Sequence, residues 1–481
     1  MLVVISDLHL EEEASVRIGT GEGALGRRRN LPAKPFIDFL NRLGREAAHN
    51  QARRLDLVLA GDVFDIHRTG LWFKPALGGP MPFDPSPLPG SPLEAKVLEI
   101  LEGIAAEDGV REALQAFRVL GTEHRLPDGT VFPEAFPVAI HYVPGNHDRL
   151  CNATPAIRRR VREILGISGG DARFDNQVLL ADPRVLVRHG HEYDSPNFSK
   201  DHTRTPQFPV QLPAKEYDAP AIGDFITVQI ASRLPQAFRE VHGDDTILAT
   251  PLLRSVYDRL LEFDDVRPQS ALFDFMLHDP DVPDRNKVWA TLEPVLRKIL
   301  EEVRVSPFLR KWLKEHDRWG PDVVDVIQFI LKLRPWNVFK TIPHELLDRL
   351  QKALRGTEKP PVTFAAREAA IRSGQARLLI AGHTHNPAVE LAASDRANGE
   401  RYYVDTGTWR NRVPLTPDGK GFGHLKALTY VVVYASDEDL GVNTDDAREK
   451  PAAGQDNAIN AVPVKLHSFD YWSGFTQRFN G

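Results

Sequence analysis

The chain has 481 residues, with 60 Lys and Arg against 66 Asp and Glu, 17 His and a single Cys. That is more chain than one ordinary core uses, so a second domain or a large insertion is expected. The lone Cys151 excludes an intramolecular disulfide and leaves any metal to His, Asp, Glu or Asn. A formal charge of -6, with both signs scattered, gives no global attraction to nucleic acid or anionic lipid.

Leu2 to Ile5 is a continuous apolar run, which reads as a strand covered on both faces. It has no basic leader ahead of it, and no segment approaches the roughly 18 apolar residues of a membrane span; the expectation is a cytoplasmic protein. A helix is predicted over Pro35 to Ala48 and a second buried strand over Leu55 to Ala60. The loop Arg68 to Pro92 is too rich in Pro and Gly for regular structure. Leu93 to Leu120 has helical spacing throughout, Phe136 to Val143 reads as a third strand, and Pro155 to Leu165 as an arginine-rich helix. Short strands follow at Gln177 to Leu180 and Val185 to Arg188.

From 192 to 381 the pattern becomes helical, with amphipathic stretches at Leu252 to Phe263, Val288 to Val305 and Val323 to Leu333. Strands resume at Arg377 to Ile380, Arg401 to Val404, Leu428 to Tyr434 and Val462 to Leu466; Ser436 to Ala461 reads as an acidic exposed loop. The expectation is one α/β domain, residues 1–195 and 377–481, interrupted by a mainly helical insertion, 196–376.

Five polar clusters each follow a predicted strand: Asp7 and His9; Asp62; Asn146 and His147; His189 and His191; His383 and His385. Residues at the carboxyl ends of strands in an open α/β sheet converge on one crevice. Carboxylate, imidazole and amide oxygen are ligands for a borderline or hard divalent cation. In extended chain the D-x-H spacing puts both side chains on one face. Asp-x-His alone recurs by chance and Gly-Asn-His-Asp alone reads as a turn, so for any one cluster the structural reading is the better one; for five in series it is not.

Ser6-Asp7-Leu8-His9, Gly61-Asp62-Val63-Phe64-Asp65, Gly145-Asn146-His147-Asp148, His189-Gly190-His191 and Gly382-His383-Thr384-His385 resemble the signature blocks of the calcineurin-like metallophosphoesterase superfamily. The resemblance implies a four-layer αββα sandwich, with the helical insertion as a cap outside the matched region. It implies two divalent ions, manganese first, with iron, zinc and nickel also compatible. Asp7, His9, Asp62 and His385 would hold one ion, and Asp62, Asn146, His189 and His383 the other. Asp62 would bridge them, with a hydroxide between the ions as nucleophile.

His147 matches the family's catalytic histidine and would act as general acid. Asp148 either orients it or closes the turn. Asp65 is expected to bond a ligand or a backbone amide rather than a metal. His191 and Arg410 are candidate substrate contacts. Arg28, in the triplet Arg27 to Arg29, is either a phosphate contact or part of a solvated basic loop. Trp409 would lie near the site rim or serve packing. His141 reads as a satisfied core histidine.

The insertion joins the core beside two ligand blocks, which makes it a cap over the site. Its tryptophans Trp289, Trp312, Trp319 and Trp336 either build the cap's own core or line a cleft for a lipid-linked or nucleotide substrate. The leading expectation is hydrolysis of a phosphodiester or pyrophosphate. A nuclease of the same superfamily is the runner-up, with nucleic acid disfavoured by the charge. A metal-free scaffold is a remote third, because every expected ligand is present.

Overall fold

The structure, a computed structural model, describes residues 1–20, 24–26, 29–74, 79–202, 205–279, 281–315, 360–435, 438 and 469–475. The strands are β1 (Leu2–Ile5), β2 (Leu55–Ala60), β3 (Val138–Val143), β4 (Val178–Leu180), β5 (Val185–Val187), β6 (Val266–Arg267), β7 (Leu378–Ala381), β8 (Ala388–Asp395), β9 (Gly399–Asp405), β10 (Val413–Pro414), β11 (Ala427–Val433) and β12 (Phe469–Phe475). They form two mixed five-stranded sheets, ordered β12-β11-β1-β2-β3 and β4-β5-β7-β9-β8, and a small β10-β6 pair. In the first sheet β1, β2 and β3 run parallel; in the second β5, β7 and β9 do.

Side-chain alternation explains how the sheets stack. Leu2 and Val4 of β1, Val58 and Ala60 of β2, and Val431 and Val433 of β11 share one apolar cluster with Val185, Val187, Leu378, Ile380 and Val404 of the second sheet. The intervening residues Val3, Ile5, Leu57, Leu59 and Val432 join a larger cluster with helices on the far side of the first sheet. Leu186, Leu379 and Tyr403 do the same behind the second sheet. Both faces of each sheet are thus covered, which is why β1, β5 and β7 read as unbroken apolar runs.

The core helices are α1 (Ala33–His49), α2 (Pro92–Ala106), α3 (Val110–Glu123) and α4 (Pro155–Leu165). The Thr154 hydroxyl accepts from Ile157 N, Pro155 opens α4, and left-handed Gly166 ends it. The single helix expected over Leu93 to Leu120 is instead two, α2 and α3. The break has a tertiary cause. Glu107 turns out of the helix so that its carboxylate accepts from the amides of Glu13, 2.9 Å, and Ala14, 2.8 Å, and Gly109 takes φ +82°.

Strand β8 was not anticipated. It is an edge strand antiparallel to β9, and its Val389 and Leu391 are exposed, so it lacks the apolar face that marks a strand in sequence. Val323 to Leu333 and Val462 to Leu466 lie outside the described residues.

The inserted segment holds α5 (Ala214–Asp218), α6 (Ile222–Ile226), α7 (Arg233–His242), α8 (Asp244–Ala249), α9 (Pro251–Leu261), α10 (Leu272–Leu277), α11 (Arg285–Val305), α12 (Pro307–Glu315), α13 (Pro361–Ala365) and α14 (Ala369–Arg372). Phe238, Tyr257, Leu292 and Val295 belong to the same apolar cluster as Phe64 and Ile66 of the loop after β2. Trp289 and Trp312 are buried in that cluster, which favours packing over a cleft; Trp319 and Trp336 lie outside the described residues. Among the described residues no helix is long and apolar enough to cross a membrane.

Ile380 is fully buried between the sheets. Ile380→Ala should cost about 2–5 kcal/mol of unfolding free energy in a urea titration. A loss within 0.5 kcal/mol (about the noise of a surface substitution) would mean that the sheets do not depend on this packing.

Candidate metal centre

Each block sits at the carboxyl end of a parallel strand. Asp7 and His9 follow β1, Asp62 follows β2, Asn146 and His147 follow β3, His189 follows β5, and His383 and His385 follow β7. The chain turns sharply there. Eight described non-glycine residues have positive φ, and Asp7, His9, Asp62, His383 and His385 are five of them. Such backbone is costly for residues with a Cβ and concentrates where function requires it. Two glycines make room. A Cβ on Gly145 would fall 2.2 Å from Asp62 Oδ1, and one on Gly382 2.1 Å from Asp7 Oδ2.

Three overlapping groups result: Asp7, His9 and His385; His9, Asp62 and His147; Asp62, His189 and His383. Within each, the donor atoms lie within 4.8 Å of one another. Asn146 Oδ1 joins the last, 3.2 Å from His189 Nε2 and 3.0 Å from His383 Nδ1. Asp62 Oδ2 is 3.1 Å from His189 Nε2 and 3.8 Å from His9 Nε2, between the two sides.

The donors fit divalent cations. Asp7 Oδ1 is buried and makes no aligned hydrogen bond, although His385 Nε2 is 3.3 Å away and His9 Nε2 3.7 Å away. The Nε2 atoms of His9 and His385 face each other at 2.9 Å. Two imidazole nitrogens and a carboxylate aimed at one point suit a cation better than any shared proton.

Electrostatics point the same way. Burial favours the neutral form of Asp7, but the nearby His385 and His9 outweigh it and hold its carboxyl well below the usual range. Asp62 is lowered too: burial is overcome by His189 and His147. Burial works against a charged His9, yet Asp65 and Asp7 push it up to about 9; His189 is pushed up to about 10 against burial by Asp62. Burial drives His385 down to about 3, with Arg267 adding to the effect.

Asp65 has the role sequence reasoning offered to Asp148. Its Oδ1 accepts from His147 Nδ1 at 2.8 Å and its Oδ2 from His9 Nδ1 at 2.9 Å, so one carboxylate fixes two imidazoles. Asp148 does not orient His147. Its carboxylate is spent on the amides of Gly145 and Val63, closing the turn and tying β2's loop to β3's. The side chain of His147 is 16% exposed, against 2% for His9 and 0% for His189, so it is open to a ligand.

The three proposed substrate contacts fare differently. Arg28 lies outside the described residues, as does Arg27, while neighbouring Arg29 is buried and paired with Glu11 at 2.5 Å rather than solvated. His191 is buried behind the ligands, its ring packed against His189, Phe198 and Tyr217, and it reaches no open surface. Arg410 is also buried. It pairs with Glu11 at 2.6 Å, with Asp65 at 3.3 Å and with Asp265, so it braces the orienting carboxylate instead of meeting substrate. Trp409 serves packing, stacked on Phe36 at 5.2 Å. His141 bonds Asp56 at 2.9 Å.

Sequence reasoning missed Asp194, which lies 3.0 Å from His383 Nε2, and Asp265, Arg68 and Arg267 in or against the insertion. None stands in a motif. No family model matches the chain, and no curated protein matches it.

In the metal-free protein near neutral pH, His9 and His189 therefore carry protons that a cation must displace. Metal affinity should rise with pH up to the raised histidine values. Calorimetric titration with manganese at about pH 7.5, in buffers of different ionisation enthalpy, should show about two protons released per chain. Zero release would place the ions elsewhere.

Proposed function

We propose that the chain is a binuclear metal-dependent phosphoesterase that hydrolyses a phosphodiester or pyrophosphate. The observation that carries this reading is the paired donor set around Asp62, with His147 beside it, held by the Asp65 carboxylate. Two sheets with helices behind each agree with the sandwich implied by the signature blocks.

Asp7, His9, Asp62 and His385 would hold one ion, and Asp62, Asn146, His189 and His383 the other. Bound divalent ions supply an activated water at neutral pH and charge neutralisation for the phosphoryl oxygens. The protein's own part is positional. Asp62 Oδ1 accepts from His147 N at 2.8 Å, which locks the loop bearing the acid to the shared ligand.

With Nδ1–H of His147 donated to Asp65, its Nε2 is left to give a proton to the leaving oxygen. Burial opposes the charged form, but Asp65 and Asp62 push His147 up to about 10, so it holds that proton in the metal-free site. Nearby cations would lower it again, toward the range in which an acid can donate. Burial opposes the charge on Asp65, but His147 and His9 hold its carboxyl well below the usual range, and Arg410 lies 3.3 Å from it, so the acid's orientation is set two residues deep.

Reconstituted protein should bind close to two transition-metal ions, and His147→Ala should lower kcat/KM for a bis-aryl phosphate by about 10²–10⁴-fold with metal content unchanged. Asp65→Asn should lower kcat more than it raises KM. Folded protein that takes up no metal, or turnover indifferent to His147, would sink the proposal.

A further inference from the structure

We propose that Arg267, carried by the inserted segment, is a ligand for a phosphoryl oxygen of the substrate; this rests on the phosphoesterase reading above. The starting observation is how the four ligand histidines use the nitrogen turned away from the donor cluster. His9 Nδ1 donates to Asp65, His189 Nδ1 to the Ala60 carbonyl at 2.9 Å, and His383 Nε2 to Asp194 at 3.0 Å. Each outward nitrogen thus holds a proton of its own, which leaves the inward nitrogen to a cation once the cation has displaced any proton there.

His385 is the exception. Its Nδ1 lies 3.0 Å from Arg267 Nη2, and a guanidinium has only donors. In this contact Nδ1 must accept. A neutral His385 that ligates through Nε2 carries its proton on Nδ1, where it would meet the Arg267 donor. A cation on His385 Nε2 and this Arg267 contact exclude each other.

Among the described residues the guanidinium is otherwise held by backbone carbonyls. Its Nη1 donates to the carbonyls of Asp264, 2.7 Å, and Val266, 2.9 Å, and it makes no ion pair with a carboxylate among the described residues. Arg29, Arg68 and Arg410 nearby are all paired with acids. The Arg267 backbone is pinned: Val266 pairs with Val413, and the Arg267 carbonyl accepts from Leu415 N at 3.0 Å. Only the side chain swings. A half-buried cation without a carboxylate ion pair among the described residues, tethered beside the donor cluster, matches a phosphoryl group, whose oxygens a guanidinium fork can take in pairs.

The test is calorimetric titration of inorganic phosphate into the manganese-loaded full chain at fixed ionic strength, using wild type, R267Q, R267K and, as a charge control, R285Q on the exposed face of the insertion. We expect phosphate affinity to fall about tenfold or more in R267Q, as loss of a charged hydrogen bond predicts. R267K should fall less and R285Q not at all, and manganese affinity in R267Q should equal or exceed that of wild type. Unchanged phosphate affinity in manganese-loaded R267Q, or weakened manganese binding in both Arg267 variants, overturns the inference. Melting curves identify a folding defect confined to R267Q, in which case R267K decides. Wild type that takes up no manganese overturns the phosphoesterase reading itself, whereas wild type that binds both ions and phosphate no better than R267Q removes only the role of Arg267.

Discussion

Three carboxylates, Asp7, Asp62 and Asp65, are buried together at the ends of β1 and β2, and their mutual repulsion is the constraint that the surrounding structure answers. Charges so placed persist only with compensating partners. Imidazoles supply part of this, each held by a second contact that decides which nitrogen faces inward. The left-handed backbone at five of these residues is the conformational cost of crowding so many polar side chains onto strand ends. The covered, all-apolar strands beneath are what hold that backbone in place.

Much of this was legible in sequence because it follows from short-range rules. Parallel strands deliver their next residues to one edge, so Asp7, Asp62, Asn146, His189 and His383 could be brought together from spacing alone. Asp148 and Asp65 show where such reasoning stops. Both are carboxylates within a motif, and only the path of the chain decides that Asp65 reaches two imidazoles while Asp148 is consumed by backbone amides. Arg410 was similarly misread: the sequence places it beside the site but cannot say that it points into protein. The split between α2 and α3 was hidden because Glu107 answers a demand from Glu13 and Ala14 far away in the chain.

The insertion is tied to the core by charge as well as by apolar contact. Arg68 meets Asp264 at 3.2 Å and Asp265 at 3.5 Å, and donates to the Leu261 carbonyl at 2.7 Å, while Arg410 spans Asp65, Glu11 and Asp265. Burial dominates at Asp265 and pushes it up to about 8 despite Arg68. Buried networks of this kind add little net stability, but removing one member strands the others at about 3–5 kcal/mol. Their effect is to fix the relative placement of the segment that carries Arg267 and the carboxylate that orients His147.

The position of β1 has a consequence for how the chain is made. It lies between β2 and β11, with Leu2 paired to both Asp56 and Val433. A ribosome that has released everything up to the insertion has thus produced a strand of Leu, Val, Val and Ile with one edge still unpaired, and the missing partner, β11, follows only after the whole insertion. Open apolar edges of this kind recruit other chains. Nascent molecules of this protein are therefore expected to need shielding until β11 emerges, and the cluster of His and Asp side chains at the end of β1 can take its final shape only then.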